Sequence, residues 1–168
     1  MTADARARFV LAFMLLLVVE LGAVVWVFGQ RLDGAVNRAT ARTSAAALNL
    51  VGAQCQADDD YVVCPSLSNV RIIFECTAVF PVGVFLAAVI AFPASWKRKL
   101  VGLGLGVPTS LLVNVGRVMS LVWLTARFPS ATEWVHVVLW QTLMIVLVVG
   151  IWLLWAGRAA RQGRARIA

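Results

Sequence analysis

Four long apolar runs separated by short polar clusters dominate the chain: Phe9 to Phe28, Ile72 to Phe92, Leu100 to Ala126 and Trp134 to Ala156. Each has 20 residues or more. A helix of that length, rising about 1.5 Å per residue, crosses a hydrocarbon core about 30 Å thick. Backbone polar groups find no water inside a bilayer, which leaves helices as the spanning form. The pattern predicts an all-α polytopic membrane protein, one domain over 1–168, with four transmembrane helices at about 9–28, 72–92, 100–126 and 134–156. The third run exceeds what a crossing needs, so it is expected to tilt or to extend past the membrane near Pro108. Between the first two helices lies a loop over 29–71, whose alanine-rich stretch Ala35 to Val51 is expected to form a short helix on or near the membrane.

Composition agrees. The 168 residues are 61% hydrophobic and 14% charged, against about 25% charged in soluble domains, which excludes a water-soluble globule, a disordered chain and a small disulfide scaffold. A net charge of +7 would suggest nucleic acid in a soluble protein; here the positions of the cations matter more, and no nucleic-acid partner is expected. Arg6, Arg8, Lys97, Arg98, Lys99, Arg158, Arg161, Arg164 and Arg166 fall on one side of the predicted membrane. On the other side Arg31, Arg38, Arg42, Arg71 and Arg127 are diluted and offset by Asp33, Asp58, Asp59, Asp60 and Glu133. Since cytoplasmic segments collect Lys and Arg, both termini, with the basic tail 157–168, are expected in the cytoplasm and the 29–71 loop outside an inner cell membrane. The first run is longer than a signal-peptide core and no small-x-small cleavage site follows, so it reads as an uncleaved anchor.

Ionisable groups at bilayer depth are costly and tend to face a bundle interior or a functional cavity. They are few: Glu20 in the first run, Glu75 beside Cys76, Asn114 and Arg117 in the third, and His136, the one histidine, at the start of the fourth. Arg117 lies 17 residues beyond Leu100, about 26 Å up a helix rising from the cytoplasm. Cys76 and His136 lie a few residues inside helices entering from the opposite face, so a thiol, a guanidinium and an imidazole converge at one level near the outer interface. Ser110, Asn114 and Arg117 share one helix face at i, i+4, i+7, a polar stripe that should face protein rather than lipid. Taken singly, Cys76 reads as a small apolar filler, Arg117 as a snorkelling cation and His136 as an interfacial residue beside Trp134. Their coincidence favours a chemical site.

Cys55 and Cys64, in the outer loop, either form a disulfide or remain two thiols; a bridge would add about 2–3 kcal/mol on the loop-entropy model. The run Gly102-Leu103-Gly104-Leu105-Gly106 lacks the strand and the Lys-Ser/Thr of a phosphate loop and reads as helix packing at small-xxx-small spacing. The triplet Asp58-Asp59-Asp60 reads as a solvated turn. No metal or cofactor motif is present.

From Glu75 onward the chain resembles the exosortase/archaeosortase family of membrane transpeptidases. The resemblance rests on Glu75-Cys76-Thr77 opening a helix, the turn from Ala91 to Gly102 (Ala-Phe-Pro-Ala-Ser-Trp-Lys-Arg-Lys-Leu-Val-Gly), Asn114-Val115-Gly116-Arg117, and His136 after a proline-containing outer turn. With four helices the chain looks like the small branch related to exosortase H. The resemblance implies that Cys76 is a nucleophile assisted by Arg117 and His136; the inventory of polar residues at bilayer depth adds Glu75, Asn114, Ser110 and Glu20 in substrate-binding or supporting places. The resemblance also implies substrates that are membrane-anchored proteins with C-terminal sorting signals of the PEP-CTERM or IPTL kind, cleaved through a thioester without a cofactor. Two other readings remain: a small four-helix transporter or channel using Glu20 as its ion-coupled carboxylate, and a noncatalytic membrane assembly subunit.

Overall fold

The computed structural model describes residues 3–27 and 33–164. The start of the predicted outer loop, with Arg31, and the end of the basic tail, with Arg166, lie outside the described residues. The chain is mostly helical: α1 (Ala3–Val27), α2 (Asp33–Leu50), α3 (Val79–Ala91), α4 (Trp96–Arg127), α5 (Pro129–Trp134) and α6 (Gln141–Arg164). A π-helical turn over Val135–Trp140 joins α5 to α6 without a break. Among the described residues, two helices are long and apolar enough to cross a membrane, Trp96–Arg127 and Pro129–Ala160. On the second, Leu139, Leu143, Val146, Val149 and Leu153 form an exposed apolar surface that a bilayer would cover.

Two expectations are corrected. The second apolar run is not helical throughout: α3 begins at Val79 and has 13 residues, too few to cross about 30 Å unaided. The residues before it are drawn into the lobe that carries the Cys55–Cys64 segment, where the Ile72 N–H donates to the Asp60 carbonyl (2.7 Å) and the Ile72 side chain is fully buried. Nor is the protein purely α. A three-stranded antiparallel sheet of β1 (Gln56–Asp58), β2 (Tyr61–Val63) and β3 (Val70–Arg71) occupies the loop, with Gln56 opposite Val63 and Tyr61 opposite Arg71. Asp59, at φ 50°, forms the β1–β2 turn together with Asp60, so the aspartate triplet is the end of a hairpin; Asp60 also pairs with Arg71 (2.9 Å).

The alanine-rich helix is present as α2, but as a lid packed on protein. Its face Asn37, Ala41, Ser44, Ala45, Leu48 is buried, at the i, i+4, i+7 spacing that small residues permit for close approach. Ala41, Ala45 and Leu48 join Val62, Ile72, Cys76, Val118 and Val122 in one apolar cluster under the sheet and against the end of α4. Cys55 and Cys64 are joined in a disulfide within it. Asn49 ties the chain after α2 back on itself, with its Nδ2 donating to the Cys55 carbonyl (2.9 Å) and its Oδ1 accepting from the Cys55 N–H (2.7 Å).

The opposite end is held by an aromatic cluster of Phe9, Phe92, Trp152 and Trp155. There Trp155 Nε1 donates to the Arg98 carbonyl (3.0 Å) and Arg98 Nη1 to the Ala159 carbonyl (2.7 Å). The glycines of α4 serve packing: Gly102 receives the Trp155 indole and Gly106 the Phe85 ring, each closer than a Cβ would allow, whereas Gly104 has open space. Gly106→Ala is therefore expected to lower stability by about 1–3 kcal/mol through overpacking against the fully buried Phe85. Gly104→Ala should be near neutral. Thermal unfolding in detergent checks this, and equal melting temperatures for the two variants would contradict it.

Candidate active site

Cys76 lies in a 3₁₀ turn, Phe74–Cys76, ahead of α3 and not inside a helix. The turn is pinned locally: the Cys76 N–H donates to the Ile73 carbonyl (2.8 Å), and both the Thr77 N–H (3.0 Å) and the Thr77 hydroxyl (2.7 Å) donate to the Phe74 carbonyl. It is also pinned from α4, where Asn114 Nδ2 donates to the Cys76 carbonyl (2.9 Å). A sulfur thus sits on a backbone fixed from two directions, with its side chain 4% exposed.

His136 approaches from the π-helical turn, a widened turn of a kind found often at functional sites. Its Nε2 is 3.9 Å from Cys76 Sγ. Its Nδ1 is 3.4 Å from Nη2 of Arg117, which is buried on α4 one turn beyond Asn114. Three separate elements therefore bring the thiol, the imidazole and the guanidinium into a contiguous chain. Glu75 makes no hydrogen bond to them: it is exposed, and it acts on all three through its charge. Ser110 is fully buried, but its hydroxyl donates to the Gly106 carbonyl of its own helix (2.9 Å). Glu20, on α1, lies against Gly83 of α3. The stripe on α4 divides by side-chain length, since asparagine and arginine reach the Cys76 turn and its histidine while serine bonds back to its own backbone.

Proton placement follows from donor inventory. Arginine has no acceptor, so an Arg117–His136 hydrogen bond runs from the guanidinium to Nδ1. A neutral imidazole accepting there carries its proton on Nε2 and points it at the sulfur, which suits a thiolate but leaves no lone pair to take a thiol proton. Burial pushes the Cys76 thiol above its ordinary range; the Ile73 backbone and the Arg117 charge oppose this and Glu75 adds to it. Two polar atoms of this site are buried without a hydrogen-bond partner among the described residues: Arg117 Nε and Asn114 Oδ1. An unpaired donor and an unpaired acceptor beside a thiol are the complement of a peptide group. No cluster of three or more His, Cys, Asp or Glu suited to a metal occurs among the described residues.

A cavity of about 1050 Å³ begins beside this site, at Ala78 and Asn114, and runs between α1, α2, α3 and α4. Its participants from α2, Thr40 and Thr43, and its floor at Gly83 carry no signal in the sequence that would have marked them.

Comparison with known proteins adds one finding. A family model described as transmembrane exosortase (Exosortase_EpsH) matches residues 2–153, a span that contains Cys76, Asn114, Arg117 and His136. No curated protein and no solved structure matches the chain.

Proposed function

This membrane protein belongs to the transmembrane exosortase family, and from that premise we propose that it is a cysteine transpeptidase that cleaves C-terminal sorting signals, of the PEP-CTERM or IPTL kind, from membrane-anchored exported proteins. The observation that carries the reading is the Cys76–His136–Arg117 chain, a half-buried imidazole between a buried thiol and a buried guanidinium, with contacts of 3.9 and 3.4 Å. In this reading α1, α3 together with the segments that flank it, α4 and the α5–α6 helix cross the membrane, both termini are cytoplasmic, and the disulfide-bonded lobe and the site face outward. A substrate anchored by one C-terminal helix then presents the bond just outside that helix at the height of Cys76.

The substrate carbonyl draws Arg117 off His136. With Nδ1 released, the imidazole shifts its proton there and offers Nε2 to the thiol. The thiol proton passes to Nε2, sulfur bonds to the carbonyl carbon, and Arg117 balances the oxyanion. As the C–N bond breaks, Nε2–H gives that proton to the departing amine, leaving a thioester. An incoming acceptor then attacks the thioester, its proton passing through His136 to the returning thiolate. Asn114 holds the nucleophile's backbone and has Oδ1 available to a substrate N–H.

The test is mass spectrometry of a reporter protein with a C-terminal sorting tail, recovered from cells with and without the enzyme. A new C-terminus near the junction of signal and anchor helix, present only with the enzyme, is expected. A tail that stays intact across a panel of such signals would overturn the assignment.

A further inference from the structure

The cavity that starts at Ala78 and Asn114 is walled almost throughout by apolar side chains, among them Leu16, Val19, Leu86 and Leu111. At the 10–12 Å diameter of a helix with side chains, 1050 Å³ accommodates about two helical turns. One wall residue is charged. Glu20 rests its carboxylate on the Cα of Gly83, at a place where any Cβ would collide with it. The described residues offer that carboxylate no hydrogen bond or ion pair. A carboxyl group at this depth needs a donor, and an acyl chain filling the space would supply none. The occupant must be apolar and must bring a donor.

Resting on the function proposed above, we propose that this cavity seats the anchor helix of the substrate and that Glu20 is a specificity-determining residue that reads a hydrogen-bond donor on that helix. The cavity's continuity with the Cys76 turn selects the substrate over lipid or a second copy of the chain. The register follows from α3, which starts at Val79 just after the Cys76 turn, so that Gly83 lies four residues, about 6 Å, down that helix and the position read on the substrate lies about one to two helical turns past the cleaved bond. A serine, threonine or lysine at that one position satisfies Glu20; a leucine leaves it unpaired. Gly83 is the glycine that lets the carboxylate lie at the cavity wall rather than above it.

The test uses a reporter tail already shown to be cleaved in a Cys76-dependent manner. Single leucine, serine and lysine substitutions are placed in turn at the fourth to tenth residues after the cut. With the native enzyme, leucine at one position of this window is expected to be processed about tenfold more slowly than serine or lysine there, with flat profiles elsewhere. Glu20→Leu should erase that position-specific difference, and Glu20→Gln should keep the serine preference while losing any advantage of lysine. Because the readout is a ratio between tails, a general loss of activity does not imitate it. A profile identical in native, Glu20→Leu and Glu20→Gln enzymes overturns the inference and leaves the transpeptidase reading standing; it is also the outcome expected if lipid or a second copy fills the cavity. Absence of any Cys76-dependent cleavage removes both.

Discussion

Cys76→Ser is expected to lower tail processing by about 10⁴-fold or more while the protein still inserts in the membrane and keeps its melting temperature in detergent. The magnitude is that of removing a nucleophile that acts in concert with its base. Serine has nearly the volume of cysteine and suits a side chain that is 4% exposed, and the turn that positions it is held by backbone bonds to Ile73 and from Asn114 that do not involve sulfur. Loss of processing in a correctly assembled protein therefore reports chemistry and not folding. The transporter reading predicts a silent Cys76→Ser and a sensitive Glu20. Immunoblotting of processed against unprocessed reporter separates these.

Arg117→Gln is expected to cost about 10²–10³-fold, the usual scale for losing a charge-stabilising donor at a developing oxyanion. Glutamine keeps much of the buried volume. Arg117→Lys should recover only a minor part, because lysine lacks the planar fork of donors that the guanidinium turns from the imidazole to the carbonyl oxygen. A second signature has a definite sign. The Arg117 charge lowers the Cys76 thiol against the effect of burial, so its removal disfavours the thiolate, and the rising acid-side limb of activity should move to higher pH. A pH profile of processing by Arg117→Gln in detergent or vesicles measures this, and an unmoved limb would mean that the guanidinium does not act on the sulfur.

The convergence of Cys76, Arg117 and His136 was legible in the chain because depth in a membrane can be counted along helices. Arg117 is far up α4, and Cys76 and His136 lie near the other ends of their apolar runs, so a common level emerges from sequence and rise alone. What periodicity could not resolve was where the second run stops being helix. Ile72 to Ala78 carries a single charge and merges with the apolar sequence of α3, yet Ile72 pairs with Asp60 and packs in the lobe, and long-range pairing of this sort leaves no local trace. The sheet was hidden for the same reason: strands of three, three and two residues are too short to show alternation.

Other parts depended on contacts that only folding creates. Ser110 and Asn114 share a face of α4, but one bonds its own helix and the other the Cys76 carbonyl, a distinction of side-chain reach that spacing does not encode. The partnership of Glu20 with Gly83 joins residues from α1 and α3, and neither carries a motif. The alanines of α2 predicted a helix correctly, but small residues suit a close protein contact as well as a membrane surface, and the sheet beneath decides for the former.

Intact-mass analysis of the enzyme, acid-quenched during turnover of a cleavable reporter tail, tests the central claim most directly. Nucleophilic attack by Cys76 predicts a covalent species equal to the enzyme plus the reporter up to the cut, located on that cysteine and released by hydroxylamine as a thioester. Cleavage that continues after Cys76 has been fully alkylated, with no such species at any time, would contradict it.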